Sequence, residues 1–165
     1  LAAEPPSRTR VTLLFLSGEE IGVQGSWVWA REHFSEAPVQ PTAAINLELL
    51  GASSAFATFK GESFATRSFP PDPYLLNVID DLHRARFGTP LWVTWYRAAT
   101  DGRSFLAHGV PAITLINDLP GHALARDMHT AGDNRDRIVP RALDAALDLL
   151  EDTVRRLDAD GVRPS

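Results

Sequence analysis

The chain has 165 residues, 44% of them hydrophobic and 22% charged, enough for one domain with a sizeable buried core. A net charge of −5, with 16 Lys and Arg scattered along the chain, argues against a phosphate-tracking nucleic-acid surface. No apolar run approaches the ~20 residues that cross a bilayer, so the chain reads as soluble, in a compartment left open. With no cysteine, any metal must be held by His and carboxylates.

In chain order, Val11, Thr12, Leu13, Leu14, Phe15 and Leu16 form an apolar run ending at Gly18, the pattern of a central strand covered on both faces. Ser26 is suited to cap a helix through Trp27, Ala30, Arg31 and Phe34, which the chain leaves at Pro38. Residues 43–51 read as a second buried strand with Gly51 at its exit. Residues 53–69 read as a short strand with irregular loops. Pro73 suits the first turn of a helix through Leu76, Ile79, Leu82 and Ala85, stopped by Gly88 and Pro90. Residues 91–96 are the next strand, 104–108 are one or two helical turns closed by Gly109, and 111–116 are again a strand. Val139, Leu143, Ala146, Leu150, Val154 and Leu157 recur at three- and four-residue steps, giving a long amphipathic helix that ends near Gly161. This alternation implies an α/β fold with a largely parallel sheet and sites at the carboxyl ends of its strands.

Glu19 and Glu20 stand where a strand becomes a loop. Consecutive side chains in extended backbone point opposite ways, so one carboxylate can bind a metal while the other serves as a general base. Glu48, at an apolar strand end, needs a cation or strong donors once desolvated. His129, in a polar loop before the last helix, supplies an imidazole suited to zinc.

Three blocks together resemble the di-zinc aminopeptidases, a family that includes bacterial leucyl aminopeptidases and, as relatives, glutaminyl cyclases. The first block runs through Leu16-Ser17-Gly18-Glu19-Glu20 to Gly25-Ser26, and the second is Ile45-Asn46-Leu47-Glu48-Leu49. The third runs from Thr100-Asp101-Gly102 through Gly109-Val110-Pro111-Ala112 to His129-Thr130. The resemblance implies a three-layer αβα domain with a mostly parallel central sheet, lacking its N-terminal strands. It implies two zinc ions in the complete domain, with Glu19 as general base, Glu20 a ligand of one zinc, Glu48 of the other, and His129 the partner of Glu20. The implied reaction removes N-terminal residues from a peptide with a free N-terminus, through attack of a zinc-bound water.

The sequence departs from that family in three places. The family's further ligands, a His and a bridging Asp, belong upstream of Arg8, so these 165 residues by themselves are expected to hold zinc weakly and to turn over little. The start at Leu1, without Met, likewise reads as a piece of something longer. Glu48 stands where Asp is usual, and the Ser-Asp-His triplet is Thr100-Asp101-Gly102. Arg97 falls where relatives carry an oxyanion-stabilising Tyr, with Tyr96 the nearest phenol. Asp101 reads as orienting a neighbour or loop, and His122 as bordering substrate. His33 and His83 read as helix-surface residues, His108 as a helix-end residue, and the tryptophans as packing. Glu48 and Gly102 equally suit a non-catalytic binding or dimerisation module, and a one-zinc, glutaminyl cyclase-like acyltransferase is a third reading. Self-association is left open.

Overall fold

The computed structural model describes residues 3–35, 41–95, 97–117 and 128–162. Its elements are α1 (Gln24–Phe34), β1 (Ala44–Glu48), β2 (Ala57–Thr58), β3 (Glu62–Phe64), β4 (Arg67–Phe69), α2 (Pro73–Phe87), β5 (Trp92–Val93), α3 (Gly102–Ala107), β6 (Ala112–Ile116), a 3-10 turn (Arg135–Arg137) and α4 (Pro140–Asp160). The main sheet runs β1-β6-β2-β5, and β3 pairs with β4 in a separate hairpin. β1 lies parallel to β6 in the register Ala44 with Ala112 through Glu48 with Ile116, and β2 is parallel to β5 and antiparallel to β6.

β6 lies between β1 and β2, four of its five residues are apolar with Thr114 the exception, and all five are buried. Ile113 and Leu115 face α2 and α4, where they meet Leu75, Ile79 and Leu149. Ala112 faces α1 and α3, against Phe105, Trp29 and Phe34. Helices therefore cover both sides, giving the three-layer α/β architecture. Each large apolar side chain fully buried in such a core contributes ~1.5–3 kcal/mol.

The two long helices follow their local signals. Asp72 accepts from the backbone N–H groups of Tyr74 and Leu75, both at 3.0 Å, Pro73 opens α2, and Gly88 closes it in the left-handed region. α4 buries Ala142, Ala146, Leu149, Thr153 and Leu157, one stripe of its 3.6-residue period. Arg86 of α2 reaches Asp148 and Asp152 of α4 across the outer seam.

Other expectations change. Residues 11–16 form no strand: Leu14 and Leu16 pack against Phe105, Val110 and Ala112, while Leu13 and Phe15 are 77% and 94% exposed. The run is covered on one side only, whereas a central strand needs both faces and both edges occupied. β1 is accordingly an edge strand and half-buried. Ser26 is no cap. α1 begins at Gln24, and buried Ser26 donates back to the Val23 carbonyl at 3.0 Å and meets Ser104 Oγ at 2.9 Å. His83 is not on the surface but 3% exposed, its Nδ1 2.7 Å from the Thr89 carbonyl and its ring against Phe56 and Phe87. Phe87 lies one helical turn along α2, but Phe56 and the Thr89 carbonyl come from outside the helix and cover the ring. The expected exit at Pro38 lies outside the described residues. Among the described residues, no helix is long and apolar enough to cross a membrane.

Candidate active site

Glu19 and Glu20 sit in a loop that folds back on itself before α1. Gly22 N and Val23 N donate to the Glu19 carbonyl at 3.0 and 2.8 Å, and Gly25 N donates to Ser17 at 3.0 Å. Only glycine fits at position 25, because an added Cβ would lie 2.3 Å from the Ser17 carbonyl oxygen. Arg103 of α3 ties this loop to the sheet layer by donating to the Gly22 carbonyl at 3.0 Å.

Glu48 closes β1, so its side chain projects from the carboxyl end of a parallel pair. Asn117 at the end of β6 steadies the turn that follows, accepting from Gly51 N and Ala52 N at 3.1 and 3.2 Å and donating to the Ser53 carbonyl. Burial, then the charge of Glu19, lifts the Glu48 carboxyl to about 7; a side-chain hydrogen bond from Asn46 opposes this, and Asp101 and Glu62 add to it. The Glu19 carboxyl is also raised, first by burial, then by Glu20 and Asp101, with Arg103 and His129 pulling it down. The structure thus gathers Glu19, Glu20, Glu48, Asp101 and His129 around one sheet end.

His129 Nε2 donates to Glu20 Oε1 at 2.8 Å, both side chains largely open to solvent. An imidazole nitrogen and a carboxylate oxygen are both donors that zinc takes, and here they are bonded to each other. Among the described residues no three His, Asp or Glu side chains come together as one ligand set. These residues fit part of a zinc shell, the Glu20 and His129 pair, with Glu48 standing apart. Backbone strain collects at the same place: Val23, Leu49 and His129 have φ of 53°, 49° and 62°. Left-handed backbone at such residues costs ~1–3 kcal/mol and clusters at functional sites.

Arg97 is exposed, next to Ala98, which bridges to Glu62. Tyr96 and His122 lie outside the described residues. The sequence reading missed Asn46, Glu62 and Arg103. Asn46 and Glu62 could have been suspected as polar residues in largely apolar strand patterns; nothing local marked Arg103.

The layered fold defines a class, the α/β scaffold that zinc aminopeptidases share. The structure is similar to an aminopeptidase from Aneurinibacillus sp. strain AM-1 (TM-score 0.63, 21% identity, 91% of this chain and 33% of that one). It is also similar to a zinc aminopeptidase from Bacillus subtilis (0.63, 21%, 87% and 34%) and to an Acidobacteriales bacterium glutaminyl cyclase (0.59, 21%, 84% and 47%). At these identities the likeness is one of fold, and the chain spans about a third to a half of the length of those proteins. No curated protein matches the sequence. The profile of peptidase family M28 matches residues 1–154, and the chain belongs to that family.

Proposed function

We propose that this chain carries the base and part of the metal site of a zinc-dependent exopeptidase that removes N-terminal residues from peptides. The observation that supports this most directly is the meeting of Glu20 and His129 beside a raised Glu19 carboxyl. Glu20 and His129 would hold one zinc, and Glu48 would serve a second. When bound, zinc supplies a Lewis acid that polarises the carbonyl and eases deprotonation of water. Glu19 takes the proton from the attacking water as its oxygen bonds to the carbonyl carbon, then delivers it to the amine nitrogen as the C–N bond breaks. The surrounding carboxylates give the site a negative field that suits the α-ammonium of a free N-terminus. Asp101 orients the Glu19 side of the site, while Arg97 borders the substrate.

The two-donor set supports weak zinc binding and low turnover by the isolated chain. The test is hydrolysis of aminoacyl p-nitroanilides by the natural-length polypeptide with zinc. Activity that survives Glu19→Gln would overturn the assigned base. The likeness to glutaminyl cyclases supports a second reading, cyclisation of N-terminal glutaminyl peptides, which the same preparations test directly.

A further inference from the structure

Glu62 is the most buried carboxylate around the site, 3% exposed on β3. Its partners are three uncharged donors. Thr100 N–H donates to Oε2 at 2.9 Å, and the hydroxyls of Thr100 and Thr114 both donate to Oε1 at 2.7 Å. Having given their protons to Glu62, these hydroxyls accept from elsewhere. The Asn46 amide donates to Thr100 Oγ1 at 2.9 Å, and Gly102 N donates to the same oxygen at 3.3 Å. The Asn46 side chain also hydrogen-bonds Glu48. Asn46 therefore donates both ways, to Glu48 and to Thr100, whose hydroxyl donates on to Glu62, and Thr100 is followed directly by Asp101.

The backbone holds Glu62 in register for this. Ser63 N donates to the Ala98 carbonyl at 2.7 Å, and Ala98 N to the Gly61 carbonyl at 3.1 Å, so β3 is stitched to the segment leading into Thr100. The Thr114 hydroxyl, with the Glu62 carboxylate behind it, occupies space left by the missing side chain at Gly102. A Cβ there would come within 2.4 Å of Thr114 Oγ1 and 3.2 Å of Glu62 Oε1. For packing alone an apolar side chain serves as well as a desolvated charge or better; what the carboxylate adds is direction for three donors at once.

We propose that Glu62 is a positioning residue of this site, its carboxylate packed with the Thr114 hydroxyl beside Gly102 and fixing Glu48 and Asp101 through Thr100 and Asn46. The proposal rests on the reading above that Glu48 and Asp101 belong to the site. Both oxygens of Glu62 must accept, so Glu62→Gln keeps the shape but turns one oxygen into a donor facing a donor.

The test uses the 13C,15N-labelled chain at one fixed pH, free of metal, as wild type, Glu62→Gln, Thr100→Val and Thr100→Ser. The expected result is that Glu62→Gln and Thr100→Val melt within a few degrees of wild type yet move the Asp101 and Glu48 side-chain carboxyl signals. Thr100→Ser, which keeps the hydroxyl, should restore them. Carboxyl signals unmoved in folded Glu62→Gln, or in Thr100→Val should Glu62→Gln not fold, would overturn the proposal. A second arm follows p-nitroanilide hydrolysis by the natural-length polypeptide, where Glu62→Gln should lower kcat about tenfold or more with KM nearly unchanged. If wild type hydrolyses nothing, the exopeptidase reading fails while the carboxyl signals still decide the role of Glu62. If wild type is active and Glu62→Gln keeps both rate and signals, the Glu62 proposal fails alone.

Discussion

Glu20 and His129 stand 109 residues apart in the chain and meet at 2.8 Å, nitrogen to oxygen. Both are largely exposed, so the contact adds little stability. Its consequence is chemical: the two residues proposed to hold one zinc come from loops that precede different helices. Replacing either by Ala should weaken zinc binding by more than the ~10–100-fold typical of losing an outer hydrogen-bond partner, with the melting temperature of the metal-free chain nearly unchanged. Isothermal titration with zinc checks this, and equal affinity in His129→Ala would remove His129 from the ligand set.

Glu19→Gln keeps the volume of the side chain and removes its basicity. A positioned general base typically contributes ~10²–10⁴-fold, so kcat in the natural-length polypeptide should fall by that order while zinc content stays the same. Steady-state kinetics alongside metal analysis reads both quantities.

The Glu48 carboxyl titrates at about 7 in the folded chain, against an ordinary value of 4.5. Between these values the unfolded chain binds fewer protons than the folded one, so stability falls as pH rises from about 4.5 to 7 and then levels off. Glu48→Gln should flatten that part of the profile. Melting curves at pH 5 and 8 with a chelator present test it, and parallel profiles for wild type and variant would refute it.

Asp158 of α4 accepts from the backbone N–H groups of Ser7, Arg8 and Thr9 at 2.9, 2.7 and 2.6 Å, pinning the N-terminal arm. Its carboxyl is held down at about 2, first by the Ser7 bond, so the clasp should persist in mild acid and be lost as pH falls through that value. Asp158→Ala should raise trypsin cleavage after Arg8 and Arg10 several-fold. Mass spectrometry of the digest follows the cut.

Gly25→Ala would press a methyl group onto the Ser17 carbonyl at 2.3 Å. Overpacking of this kind costs ~1–3 kcal/mol, or roughly 2–4 °C of melting temperature per kcal/mol at this chain length. The strain falls on the loop that carries Glu19 and Glu20, so activity should drop with stability. Calorimetry and the hydrolysis assay together check this.

The sequence by itself determined the elements whose signals are local. Pro73 and Gly88 bound α2, and apolar residues at three- and four-residue steps from Val139 to Leu157 mark α4, although its buried stripe runs through Ala142, Ala146, Leu149, Thr153 and Leu157 and leaves Leu143 exposed. It also carried the Glu pair, Glu48 and His129 in an order that a known family shares. Tertiary structure decided what depends on partners far along the chain. Residues 11–16 have a strand's composition but one covered face, Ser26 is buried by Ser104 instead of capping a helix, and His83 is covered by Phe56. Glu62 and Asn46 look alike in sequence, polar residues in short strands. Only the register that sets β3 beside Ala98 and β1 beside β6 turns them into one hydrogen-bonded chain. Periodicity reports which face of an element is apolar, but a buried polar group is stabilised by the particular donors it meets, and long-range pairing chooses those.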